Sequence, residues 1–385
     1  MTSQNDSVIF DTSKKFKRTA RDFFTSIPTH LKITTVIFII SIVIHVSAIN
    51  SSRFADFFTE NIASIFRSVL ATVTGILPFS IAETFVLMLP VLLFVYFAFT
   101  WNYYIHQNHS LRPLIYAVLS VLISLYSVAV FTFLTGYSNS TLDKKLDLDK
   151  QPVTSIELYE TAKKVHSELT EIQATIEYEY GGSSRMPYKI QEMSRKLLDS
   201  YDTCKQMYPF LHNIKTQIKP IALSEAMSYT HITGVYTYFT GEANIDAAFP
   251  DFTLPYTAAH EFAHQRGIAR EDEANFVAYL VCVNSTDNYI RYSGYMNMLQ
   301  YLLNALYTAD RDLYSQFYSE VKSKTKGELK AYSSFFDKYR DSTASKVSGA
   351  VNDTYLKLQG TEGSKSYGMV VDLAVAYYKT DNAPQ

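Results

Sequence analysis

The stretch that organises this chain runs from Ala258 to Gly267 and reads AAHEFAHQRG. On an α-helix, residues four positions apart lie on the same face, so the side chains of His260 and His264 can reach one ion together. Glu261 follows the first histidine and brings a carboxylate beside that ion. Gly267 suits the left-handed end of such a helix. The stretch therefore predicts a helix that carries two metal ligands and one acid.

The spacing of these residues is the HExxH pattern of zinc hydrolases, in which the glutamate takes a proton from a metal-bound water. A catalytic Zn²⁺ needs a third protein ligand and keeps its fourth position for water. Acids follow directly after the glycine turn: Glu271 lies seven residues after His264, and Glu273 points to another side of the same predicted helix. Only one of these two acids is expected to bind the metal. Glu271 is the preferred ligand, and Glu273 is the alternative.

The segment Glu271–Asn275, EDEAN, resembles the ExxA[DN] element that supplies the third zinc ligand in gluzincin-type peptidases. The longer run Phe239–Leu280 is similar to an uncharacterised family of bacterial membrane proteins with a zinc-peptidase-like domain, and the similarity covers most of the chain. The resemblance implies that both histidines are ligands, that Glu261 is the general base and that Glu271 is the third ligand. Asn275 stands where most gluzincins have aspartate. It shares a helix face with Glu271 and is expected to hold a ligand in place.

Composition excludes some classes of function. The chain has 385 residues and a net charge of −2, so nothing in its charge indicates a nucleic-acid partner. Its two cysteines, Cys204 and Cys282, are too few for a disulfide framework. One disulfide between the two is possible. The apolar sequence around Cys282 instead favours a role for this cysteine as a small buried residue.

Three apolar stretches, at about residues 33–49, 81–100 and 114–134, predict membrane spans. Residues 1–32 form a basic tail, which is expected to stay in the cytoplasm and favours a retained anchor over a cleaved signal peptide. Residues 62–79 are apolar on one face only, which predicts a helix that lies in the membrane surface. If this helix crossed the membrane instead, the chain would have four spans and its C-terminal domain would be cytoplasmic.

Residues 135–385 are predicted to form one extracytoplasmic domain of zincin-like, mostly helical fold with a short β element. The side chains of the segment Gly234–Thr240 alternate in character with a period of two, and the segment is rich in residues that favour β-structure. It is therefore predicted to be a strand. As an edge strand beside the metal helix it could pair with an extended substrate, and Glu242 and Asn244 would then line the cleft. A plain core strand followed by a polar turn is the alternative.

The expected function is that of a zinc metallopeptidase anchored in the cell membrane, which hydrolyses a peptide or protein at the membrane surface with Glu261 as base. Arg291 and Tyr292 follow the second site helix and are the candidate donors to the oxyanion of the intermediate. One alternative is a non-catalytic membrane scaffold or sensor with a zinc site. Another is a metal hydrolase that acts on a non-peptide amide of the cell envelope. The substrate and the oligomeric state stay open.

Overall fold

The computed structural model describes residues 27–106, 111–180, 182–340 and 342–380. The expected fold class is confirmed: the chain is mainly helical and carries one small sheet. Its helices, in chain order, are α1 (Thr29–Asn50), α2 (Ser52–Phe58), α3 (Ser64–Gly75), α4 (Ile81–His106), α5 (Arg112–Thr132), α6 (Leu142–Lys145), α7 (Ser155–Ile172), α8 (Ile190–Met207), α9 (Ser224–Ser228), α10 (Thr253–Gln265), α11 (Glu271–Val283), α12 (Asn288–Ala309), α13 (Arg311–Glu320), α14 (Ser323–Asp337), α15 (Thr343–Leu358) and α16 (Val370–Tyr378).

Three of these helices, α1, α4 and α5, are long and apolar enough to cross a membrane. Most of their large apolar side chains are exposed on the protein surface, as expected for residues that face lipid. The three helices therefore indicate a membrane anchor. Most of the predicted basic tail, residues 1–26, lies outside the described residues.

The chain divides into two compact units. The first unit comprises the described parts of residues 1–46 and 88–130, and it contains most of the three helices that are apolar enough to cross a membrane. Within it, Nδ1 of His45 lies 2.8 Å from the hydroxyl of Tyr126. The second unit comprises residues 47–87 together with the described part of residues 131–385, and it contains the predicted metal ligands.

The small sheet of the second unit has three strands, β1 (Lys219–Pro220), β2 (Gly234–Thr237) and β3 (Glu242–Ile245), in the order β1-β3-β2. Strand β3 runs parallel to β1 and antiparallel to β2, so β2 lies at an edge. The predicted strand over residues 234–240 is shorter than expected because Gly241 turns the chain with a φ of 71°. Its N–H donates to the carbonyl of Thr237 at 2.7 Å and closes the turn.

Helices α10 and α11 form the centre of the core and are buried from end to end. They pack against each other, and α12, α8 and β3 pack around them. Burial on all sides fixes side-chain rotamers, so this arrangement gives the predicted metal ligands rigid support. Cys204 and Cys282 are both buried and free, so the disulfide that the sequence left open does not form.

Candidate metal centre

The turn after α10 orients the second histidine. Gly267 has a φ of 96°, which allows its N–H to donate to His264 O at 2.9 Å and the N–H of Ile268 to donate to Ala263 O at 3.1 Å. These two bonds form a Schellman motif, which requires the left-handed conformation that glycine adopts easily. The motif also brings the carbonyl of Ile268 to 2.7 Å from Nδ1 of His264. A carbonyl only accepts, so Nδ1 carries a proton and Nε2 is the atom left to bind a metal.

Three ligand atoms converge between α10 and α11. Oε2 of Glu271 lies 3.1 Å from Nε2 of His260 and 3.3 Å from Nε2 of His264. Tetrahedral zinc with bonds of about 2.0–2.1 Å separates neighbouring ligand atoms by roughly 3.3 Å. In the described part of the chain, Oε2 of Glu271 nevertheless forms no hydrogen bond of acceptable geometry. A buried carboxylate oxygen that faces two imidazole nitrogens without a hydrogen bond fits a metal site.

The electrostatics of this cluster keep Glu271 ionised. Burial opposes its charge, yet the adjacent rings of His264 and His260 hold the pKa of Glu271 well below its usual range. Burial also opposes charge on His264, but the Glu271 carboxylate outweighs it and raises the pKa of His264 to about 9. Burial and the neighbouring His264 lower the pKa of His260. Glu271 thus favours positive charge on a group that lies beside it in the cluster.

Asn275, the expected partner of the ligands, lies near the ring of His260 and the hydroxyl of Tyr301, but Nδ1 of His260 is buried and has no hydrogen-bond partner in the described structure. Residues that hold a metal-binding histidine from behind fix the orientation of its ring. Asn275 thus lies near the cluster, and its role in holding a ligand stays a prediction.

Glu261 lies beside the cluster and is buried. Its carboxylate packs against Gly234 of β2, where an added Cβ would fall 2.6 Å from Oε1. Burial raises the pKa of Glu261 to about 8, although the nearby His264 ring and the N–H of Tyr236 favour the ionised form. A carboxyl group that gains and loses its proton near neutral pH can serve as an acid and as a base.

The alternative third ligand has a different role. Oε1 of Glu273 accepts from the backbone N–H of Leu142 at 2.9 Å and from Nη1 of Arg270 at 2.9 Å. The side chain therefore fixes the segment before α7 to the first turn of α11. The structure groups Glu271, and not Glu273, with the two histidines.

The predicted oxyanion donors have other partners, which corrects that assignment. The hydroxyl of Tyr292 donates to Glu328 at 3.2 Å and lies 3.3 Å from the hydroxyl of Tyr178. Arg291 interacts with Glu168 and Tyr295. Two adjacent residues on α12 point to different sides of that helix, and neither of these two contacts the cluster in the described structure.

Two aromatic residues near the cluster were missed by sequence reasoning. Phe133, the residue after α5 ends, packs edge-on against the ring of His264 with a centroid distance of 5.7 Å. Tyr355 of α15 packs against Tyr137. Burial raises the pKa of Tyr355 to about 12, and the charge of the Glu271 carboxylate contributes to this shift. Both lie far from the HExxH stretch in sequence, and no local pattern marks them.

The fold and the cluster define a class: a membrane-anchored, mainly helical protein with a buried group of two histidines and one glutamate. The chain belongs to the family described as "Protein of unknown function (DUF3810)", whose profile matches residues 58–375. No curated protein matches the chain, and no solved structure does.

Proposed function

We propose that this protein is a membrane-anchored, zinc-dependent peptidase. The observation that carries the proposal is the convergence of three buried ligand atoms, from His260, His264 and Glu271, next to the buried carboxyl group of Glu261. A structural zinc site closes with four protein ligands and needs no base. Three ligands with an acid beside them are the composition of a catalytic site.

A zinc ion held by this cluster would supply a Lewis acid and lower the pKa of water towards neutrality. The chain itself would supply proton transfer. Glu261 would accept a proton as water attacks the scissile carbonyl and would return it to the leaving amine. Gly234 and the N–H of Tyr236 would hold the carboxylate in place during these transfers.

In this proposal Tyr355, rather than Arg291 or Tyr292, would donate to the oxyanion. Its hydroxyl is protonated at neutral pH, as that of an unperturbed tyrosine is, and burial raises its pKa further, to about 12. A protonated hydroxyl near the cluster could donate to the oxygen that becomes negative as the carbonyl is attacked. The Tyr355→Phe variant would then lose turnover while its zinc content stays that of the parent.

The proposal includes the location of the active domain. The basic tail and the three spans favour an N-terminus in the cytoplasm and a C-terminal domain outside it. The substrate would therefore be a peptide or protein of the cell envelope.

The test compares the full-length parent with the Glu261→Gln variant on a complex peptide library, with new termini identified by mass spectrometry. We expect both proteins to hold one zinc ion and the variant to lose turnover by a factor of about 10² to 10⁴. Glu328→Gln, a matched change of a buried glutamate outside the cluster, should leave turnover near the parent level.

Equal turnover in the parent and the Glu261→Gln variant would remove this residue from the mechanism and most of the peptidase proposal with it. A parent that holds zinc but cleaves no peptide would support a scaffold or sensor. If the same parent released amines from envelope lipid or cell-wall extracts, a non-peptide amide would be the substrate.

A further inference from the structure

Helix α3 presents two different faces. Its inner face carries the buried residues Arg67, Ala71 and Thr74. Its outer side and the residue that follows it carry large apolar side chains that are 45–78% exposed: Ile65, Phe66, Val69, Val73 and Ile76. Arg67 is the sole charged residue of the helix, so the outer face has no charge. An uncharged apolar face of this size on a single helix requires a partner.

The inner face is fixed by Arg67. Its guanidinium is fully buried and donates to three backbone carbonyls, those of Thr132 at 3.0 Å, Thr59 at 2.9 Å and Arg266 at 3.3 Å. No carboxylate pairs with it among the residues that the structure describes. A buried cation held only by carbonyls is costly to expose or misplace, so this face of α3 stays inward.

Two further contacts prevent α3 from rotating. Gly241 packs so closely on the helix that an added Cβ would lie 2.8 Å from the nitrogen of Ala71. The ammonium group of Lys219 donates to the carbonyl of Thr74 at 2.8 Å. Because the inner face is fixed at three points along the helix, the apolar face is always directed outward.

The position of α3 in the chain identifies what covers this face. The helix lies between the two membrane-spanning helices α1 and α4, and the N–H groups of Ile81 and Ala82, which begin α4, donate to Glu242 of β3 at 3.0 and 2.9 Å. Only five residues separate the end of α3 from the start of the next span, whose first turn is fixed to the sheet. An amphipathic helix so close to a span lies at the lipid boundary.

The metal centre is connected to the same elements. Arg266, whose carbonyl binds Arg67, belongs to the turn that orients His264. Gly136, four residues after α5 ends, packs against this turn, and an added Cβ would lie 2.9 Å from the carbonyl oxygen of Gly267. Phe133 covers the ring of His264. The residues that leave the membrane therefore pack directly on the end of the metal helix.

We propose that the outer face of α3 binds the lipid bilayer and holds the metal centre at its surface, so that the substrate is a segment of a membrane-bound protein next to the bilayer. The lipid contact stands on the geometry of α3 and on its position between two spans, and it does not depend on any activity. The substrate class rests on the proposed function. In this proposal, lipid acyl chains cover the outer face of α3. The proposal fails if the test shows that water or a second copy of the protein covers this face instead.

The first experiment tests the lipid contact without any activity. The full-length Val73→Cys variant is labelled with a small fluorophore and reconstituted into vesicles of phosphatidylcholine and phosphatidylglycerol. Val351→Cys on α15 is the matched control, because the two valines are 61% and 64% exposed and both lie on helices. The parent controls for background, since Cys204 and Cys282 are fully buried.

We expect brominated acyl chains to quench the probe at position 73 at least several-fold more than the probe at position 351. Iodide in the aqueous phase should show the opposite order. Quenching of position 73 by iodide alone would overturn the proposal. Shielding of position 73 from both quenchers, together with cross-links between two copies, would also overturn it, because a second copy would then cover the face.

The second experiment tests the substrate class. One cleavable peptide is presented to the reconstituted parent either free in solution or fused to a transmembrane anchor at equal total concentration. We expect the anchored form to be cleaved at least tenfold faster, and equal rates would overturn the substrate class. If neither form is cleaved while lipid quenches position 73, the proposed peptidase function fails and the lipid-binding face stands.

Discussion

Replacing Glu242 with glutamine should destabilise the protein, because this carboxylate is 3% exposed and serves three donors. Its oxygens accept from Nζ of Lys219 at 2.5 Å and from the two N–H groups that begin α4. Lys219 is buried as well, and its other acceptor is the carbonyl of Thr74. Glutamine keeps one acceptor oxygen but removes the negative charge. The Lys219 ammonium would then stay buried without its counter-charge.

The size of the effect follows from these contacts. Removal of one partner from a buried ion pair costs about 3–5 kcal/mol. The lost backbone acceptor adds to the same desolvation penalty, so we expect the free energy of unfolding to fall by about 4 kcal/mol in total. Lys219→Met in the Glu242→Gln background should recover most of this loss, because both charges are then absent. The coupling energy between the two positions should exceed about 2 kcal/mol.

The assay is urea unfolding of the full-length protein in detergent, followed by far-ultraviolet circular dichroism. Glu225→Gln is the control, since its pair with Lys338 is exposed and 3.7 Å long, and its effect should stay within about 0.5 kcal/mol. A loss below about 1 kcal/mol for Glu242→Gln, with no coupling to Lys219, would refute the reasoning.

Further predictions concern the third ligand, pH and topology. Glu271→Gln should lower zinc affinity more than about 100-fold in competition with a chelator, whereas Glu273→Gln should leave it near the parent value; the reverse order would make Glu273 the ligand. Burial raises the pKa of Glu328 from 4.5 to about 7, so its protonated form stabilises the fold. Stability from this group is full below pH 4.5 and is lost as pH rises to about 7, by up to roughly 3 kcal/mol. Melting curves of Glu328→Gln should lack this loss, and an equal slope in parent and variant would contradict it. A reporter that works only outside the cytoplasm should be active when fused after Gln385, and activity of a cytoplasmic reporter alone would reverse the topology.

Local sequence was sufficient to predict that His260, His264 and Glu271 lie together. His260 and His264 share a helix face by spacing alone, and Gly267 ends that helix so that Glu271 returns within reach. The three apolar helices were equally predictable, because an apolar stretch depends only on neighbouring residues.

Contacts between distant segments could not be predicted in the same way. Glu242 was expected to line the cleft, but it is bound to Lys219 and to the start of α4. Arg291 and Tyr292 were chosen because they follow the second site helix, whereas Tyr355 comes from a helix much later in the chain. Such partners depend on how helices pack, and a single sequence carries no local signal of that packing.

The central claim is that His260, His264 and Glu271 form one zinc site, and the metal content of the purified full-length protein tests it most directly. After incubation with zinc and gel filtration, the parent should retain one zinc ion per chain by elemental mass spectrometry. His260→Ala and His264→Ala should retain none, while His212→Ala, which removes a histidine outside the cluster, should retain one. A parent without zinc, or histidine variants that keep it, would contradict the account.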